Sequence, residues 1–138
     1  MTYTRYVAAM SLIAFLSGCA AQIDPALAKQ HQLQVQKMQT AVFSTSDRTL
    51  LTRSIIMTMQ DLSFIINSAD VEKGIVSAKK FGDYPIAMTV TIQAISTQQI
   101  LVRAIAQHKL KDIEAPALYE QFFSSLQKSL PSSSRAGD

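Results

Sequence analysis

Apolar and polar positions change period in a readable order along the chain, and that order predicts one α+β domain. Met38–Phe43 alternates, with Met38, Thr40 and Val42 on one face and Gln39, Ala41 and Phe43 on the other, which predicts a short strand. Ser44-Thr45-Ser46-Asp47 supplies N-cap residues and an acid in the first turn. Leu51, Ile55, Met59 and Leu62 then recur every three or four residues, predicting a helix over about 47–62. Phe64–Asn67 predicts a strand, Ser68-Ala69-Asp70 a turn closed by Gly74, and Ile75–Phe81 the hairpin partner, followed by a turn at Gly82-Asp83.

The clearest alternation comes next. Ile86, Met88, Val90, Ile92 and Ala94 share one face, and Ala87, Thr89, Thr91 and Gln93 share the other. After a turn at Ser96–Gln98, Ile100–Gln107 predicts another strand, with Ile100, Val102, Ala104 and Ala106 together. Pro116 opens a last helix whose buried side carries Leu118, Phe122, Leu126 and Leu130, widened by Tyr119 and Phe123. One antiparallel sheet with both helices on one face gives a two-layer α+β domain over residues 38–130, in the order β-α-β-β-β-β-α.

Ahead of the domain, Arg5 precedes an apolar stretch from Tyr6 to Leu16, which ends in Leu16-Ser17-Gly18-Cys19 on the chain's one cysteine. That is the charged region, apolar core and small-residue site of an export signal. It is too short for a spanning helix, which needs about 20 apolar residues. The segment resembles the lipobox of bacterial lipoproteins, in which a leucine and two small residues precede a cysteine acylated after cleavage. The resemblance implies that residues 1–18 are a signal peptide cleaved between Gly18 and Cys19. It implies too that Cys19, triacylated, holds the mature protein on a membrane without spanning it. Ala20 stands where an aspartate would favour inner-membrane retention, so the resemblance implies the outer membrane, with the domain facing the periplasm.

Cleavage leaves twelve Lys/Arg against ten Asp/Glu, too weak and scattered a charge for a nucleic-acid partner. Along the sequence that charge does not argue for anionic-lipid recognition either, which typically uses clusters of about 4–8 Lys/Arg. Residues 19–37 read as an acylated tether. Asp24 and Pro25 are set to start a helix there, but Ala26, Leu27, Leu33, Val35 and Met38 form little consistent apolar face. A frayed helix and a linker both fit. The last residues, 131–138, are rich in Ser, Gly and Pro and read as a disordered tail.

Met59-Gln60-Asp61-Leu62-Ser63-Phe64, Gly74-Ile75-Val76-Ser77-Ala78-Lys79 and Tyr119-Glu120-Gln121-Phe122-Phe123, with Leu126–Leu130, resemble a group of small proteobacterial lipoproteins without an established activity. Ser63 stands where that group has glycine, and the Gly82-Asp83 connection is shorter. In architecture alone, a more distant resemblance is to a lipoprotein component of the outer-membrane β-barrel assembly machinery, whose small domains also combine a helix with an antiparallel sheet. Likeness at that level transfers no function.

Catalytic patterns are sparse. His31 and His108 have no partners at metal-ligand spacing, and no serine nucleophile pattern or glycine-rich phosphate loop occurs, so neither an enzyme nor a cofactor or metal is expected. Asp70 and Glu72 read as turn chemistry. Asp61, unfavourable at a helix C-terminus, is expected to pair with a strand lysine. Phe122 and Phe123 lie about 100° apart on a helix, so either that helix is deeply embedded or one ring joins an exposed patch. Tyr119, Phe123 and Lys79 are the candidate interaction surface. Two function classes follow: a non-catalytic envelope lipoprotein that docks onto a membrane-associated protein complex as an accessory or assembly factor, or a periplasm-facing module that binds a small molecule or lipid in an apolar cleft lined by residues such as Met57, Met59, Met88 and Ile92. An envelope protein partner is expected in the first case.

Overall fold

In a computed structural model describing residues 24–135, every second residue of the central strands is buried, which divides the sheet into a covered and an open face. The elements are α1 (Pro25–Met38), β1 (Thr40–Phe43), α2 (Arg48–Asp61), β2 (Ile65–Asp70), β3 (Ile75–Lys80), β4 (Ile86–Ala94), β5 (Ile100–His108), β6 (Lys111–Asp112) and α3 (Pro116–Ser129), then a 3-10 turn at Ser132–Ser134. The antiparallel sheet runs β1-β5-β4-β3-β2, with β6 also on β5. Val76 and Ala78, Met88, Val90 and Ile92, and Ile100, Val102, Ala104 and Ala106 form the covered face. They join Leu51, Ile55 and Met59 of α2 and Tyr119, Phe122, Phe123 and Leu126 of α3 in a single core. The fold is the expected two-layer α+β domain, with α1 and β6 added.

Capping sets the helix limits. Asp47 is the N-cap of α2, accepting from the Leu50 N–H at 2.8 Å. At the other end Ser63 takes φ +69. The Ser63 N–H donates to Gln60 and the Phe64 N–H to Met59, both at 2.9 Å, which is a Schellman ending with serine in the position glycine prefers. The chain can then turn straight into β2.

Four expectations need correction. Ser68-Ala69-Asp70 belongs to β2, not to a turn. These residues pair with Ser77, Val76 and Ile75, and a register shift between Ile66 and Ser68 hides the alternation. Residues 25–38 form a complete helix, because Asp24 caps Ala26 at 2.9 Å and the Gln, Lys, Ala and Leu that follow are good helix formers. It buries no residue, and Met38 closes it instead of opening β1. Residues 131–135 are not a free tail: they are mostly exposed, but Ser132–Ser134 form a 3-10 turn, Ser134 is buried and the Ser44 N–H reaches the Arg135 carbonyl at 3.5 Å. Residues 136–138 of the expected tail lie outside the described residues. Leu62, expected in the core, is only half-buried at its edge.

Candidate functional site

Strand register gathers two connections at one end of the sheet. Lys80 pairs with Ile86 and Ala87 with Gln107, so the β3–β4 loop lies beside the β5–β6 turn. The turn has two residues, Lys109 at φ +49 and Leu110 at φ +65, closed by the His108–Lys111 pair. Both signs are positive, as a type I′ hairpin demands, yet Asn-Gly is what such turns prefer. An L residue in this region costs about 1–2 kcal/mol. The chain thus holds a leucine, 92% exposed, in a backbone shape that disfavours it.

The loop opposite presents Phe81 at 68% and Tyr84 at 57% exposure. It is fastened to the end of β5, because the Tyr84 ring stacks on His108 with centroids 3.9 Å apart. The His108 Nδ1 lies 2.7 Å from the Pro85 carbonyl. A carbonyl only accepts, so Nδ1–H is the donor there. Between loop and turn lies an open groove of about 280 Å³, walled by Phe81, Pro85, Ile86, Ala87 and Leu110 and rimmed by Lys79, Lys80 and Lys109. The Lys80 ammonium is 5.8 Å from the Phe64 ring centre, which steadies its stem against the core edge. Lys111 adds a fourth cation next to the turn; Asp83 and Asp112 are the acids nearest in sequence, and Asp112 accepts from the Gln107 Nε2 at 2.8 Å.

The open face of the sheet is mostly polar, with Ser77, Lys79, Thr89, Thr91 and Gln93 on it. Arg103 lies on this face between Thr40 and Thr91, half-buried, and its buried Nε–H has no partner among the described residues.

The structure separates the residues proposed as an interaction surface. Tyr119 is fully buried and Phe123 nearly so; the Phe122 and Phe123 rings meet edge to face at 5.1 Å, inside the core. The helix is embedded deeply enough for both rings, so these two residues are withdrawn as contact candidates. Lys79 alone is exposed, on the groove rim. Asp61 is exposed and makes no ion pair among the described residues, so the expected lysine pairing is absent. Met59, Met88 and Ile92 fill the core and Met57 is exposed, so no cleft opens between sheet and α3 along them.

Turn chemistry accounts for Asp70. Its carboxylate accepts from the Lys73 N–H at 2.9 Å and pairs with the Lys73 ammonium at 3.3 Å. The Lys73 backbone hydrogen bond is the main reason its pKa is lowered from the ordinary 3.8. The Glu72 carbonyl receives the Arg48 guanidinium at 2.9 Å, tying this turn to the start of α2. His31 meets Glu114 at 3.0 Å on the surface and fastens α1 to the segment after β6. Among the described residues no three His, Cys, Asp or Glu converge as metal ligands, and no helix is long and apolar enough to cross a membrane. Gly18 and Cys19 lie outside the described residues. Sequence reasoning missed Phe81, Tyr84 and Leu110; the apolar residues beside Lys80 and Lys109 were the available signal, but strand pairing is what unites them. No family model matches the chain, and no curated protein matches it.

Proposed function

We propose that this chain is a non-catalytic outer-membrane lipoprotein, anchored through acylated Cys19 and facing the periplasm. In this reading it docks onto a membrane-associated protein complex as an accessory or assembly factor. The observation that carries the reading is Leu16-Ser17-Gly18-Cys19, closing an apolar stretch on the only cysteine of the chain. From Cys19 to Asp24 the chain can extend no more than about 18 Å, and α1, at 14 residues, is about 21 Å long. Such a leash keeps the domain close to other membrane-held proteins and raises its effective concentration there, so a modest contact surface suffices. A filled core with an exposed polar sheet face supports contact over enclosure of a ligand.

Arg103 gives the docking partner a chemical feature to satisfy, since a carboxylate laid on the open face could accept from its Nε. A photo-crosslinker at exposed Thr91, paired with Arg103 across β4 and β5, tests this in cells. The expected result is one discrete envelope-protein adduct that Arg103→Glu removes, while substitutions of His31, Asp70 or Glu72, which make only surface and turn contacts, leave the cellular phenotype intact. Loss of that phenotype on changing a single histidine or acid, with fold and localisation unchanged, would point to chemistry instead.

A further inference from the structure

We propose that the sheet end formed by the β3–β4 loop and the β5–β6 turn is a lipid-surface contact, with Phe81, Tyr84 and Leu110 entering the headgroup region of an anionic bilayer and Lys79, Lys80, Lys109 and Lys111 meeting its phosphates. This rests on the membrane-held reading above and adds an orientation to it.

Three observations converge. The most exposed large apolar side chains of the described residues include Leu110 and Phe81, and both project from the same end of the sheet. A water-facing loop gains nothing from them, whereas a membrane interface accepts aromatic and leucine side chains with lysines snorkelling beside them. Charge points the same way, because four lysines flank the patch and Asp83 and Asp112 are the acids there; clustered lysines are what an anionic leaflet attracts. The turn itself is the third observation. Lys109 and Leu110 occupy positive-φ positions where Asn-Gly would relieve the backbone, so the exposed leucine and lysine are kept against the turn's own preference.

Topology permits the contact. The Gln39 carbonyl accepts from the Ala104 N–H at the middle of β5, so β1 covers only the N-terminal half of that strand and leaves the half that ends in the lysine-leucine turn to β6. The Phe81–Leu110 patch lies at the end of the sheet and Arg103 on its open face between Thr40 and Thr91, so contact through the sheet end leaves Arg103 free for a protein partner.

The chain has no tryptophan, so single probes report cleanly. Full-length protein carrying Leu110→Trp, Phe81→Trp or Ile95→Trp is reconstituted with phosphatidylcholine vesicles, with and without phosphatidylglycerol. Ile95 is exposed in the β4–β5 turn at the opposite end of the sheet. The expected result is blue-shifted emission, quenched by brominated acyl chains, for Leu110→Trp and Phe81→Trp on phosphatidylglycerol vesicles, with Ile95→Trp remaining water-like. Lys79→Glu with Lys109→Glu should abolish that shift. So should Lys109→Asn with Leu110→Gly in the Phe81→Trp background, a turn that folds at least as well. Because the probes are compared with each other, the contrast reads orientation whatever holds the chain to the vesicle, and the mass of Cys19 reports separately on the anchor. Water-like emission from both sheet-end probes on every vesicle would overturn the proposal and assign the patch to a protein partner. An equal shift with monomeric short-chain phosphatidylglycerol would overturn it in favour of a single-lipid pocket.

Discussion

Tyr119→Phe isolates one oxygen that holds three elements together. Ala104 and Ala106 face the edge of β5 shared by β1 and β6, and the two short strands leave a gap between them. On one side of the gap the Ala104 N–H donates to Gln39; on the other the Ile113 N–H donates to the Ala106 carbonyl, both at 2.8 Å. The Ala106 N–H would be stranded, but the buried Tyr119 hydroxyl accepts from it at 3.2 Å and donates to the Ile113 carbonyl at 2.7 Å. The Gln39 Nε2 adds a long contact at 3.4 Å. Phenylalanine keeps the ring and its packing, so no side-chain-sized cavity forms. What changes is that a buried N–H and a part-buried C=O lose their partner, the first costing about 1–3 kcal/mol and the second less, because water can reach it. The expected loss is about 2–4 kcal/mol, against a typical domain stability of roughly 5–15 kcal/mol. Urea unfolding reads this as a lower midpoint at constant slope, with Tyr84→Phe, whose ring is exposed, as a control near zero. A loss below about 0.5 kcal/mol, within the range of ordinary surface changes, would mean that the hydroxyl does not fill the gap.

Further outcomes follow from the backbone and the turns. Gly74→Ala should destabilise by about 1–3 kcal/mol, because Gly74 sits at φ +67 and an added Cβ would lie 2.6 Å from the Ile92 carbonyl oxygen; unchanged thermal unfolding would refute this. Ser63→Gly should stabilise by up to about 1 kcal/mol, since it relieves the positive φ at the end of α2; a lower unfolding midpoint would contradict the Schellman assignment. The Asp70 carboxylate is lowered from 3.8, so its ionised form favours the folded turn. That contribution is present above 3.8 and disappears as pH falls through the lower folded value. The Lys73 amide resonance should therefore titrate below 3.8, and a midpoint at or above 3.8 would exclude the hydrogen bond.

Long amphipathic elements were legible in the sequence because burial imposes a period on them. Leu51, Ile55 and Met59 mark α2, and Met88, Val90 and Ile92 mark β4, with the same residues buried in the structure. Segments stabilised by other means left no such trace. Helix α1 rests on its cap and on local propensity, so no apolar stripe announces it. The polar end of β2 is an edge held by pairing with β3, and β6 has only two residues. Tyr119 and Phe123 misled because the depth to which α3 is embedded depends on both α2 and the sheet. The sheet-end patch was illegible for a similar reason: Phe81 and Leu110 are far apart in sequence and become neighbours through the register of β3, β4 and β5.

The central claim, that Cys19 holds this domain on a membrane, is tested most directly by the intact mass and N-terminal sequence of the mature protein recovered from envelope fractions. The expected product is a chain that begins at Cys19 and carries the added mass of a glyceryl group and its acyl chains. A chain that still begins at Met1, or one whose Cys19 is a free thiol, would contradict it.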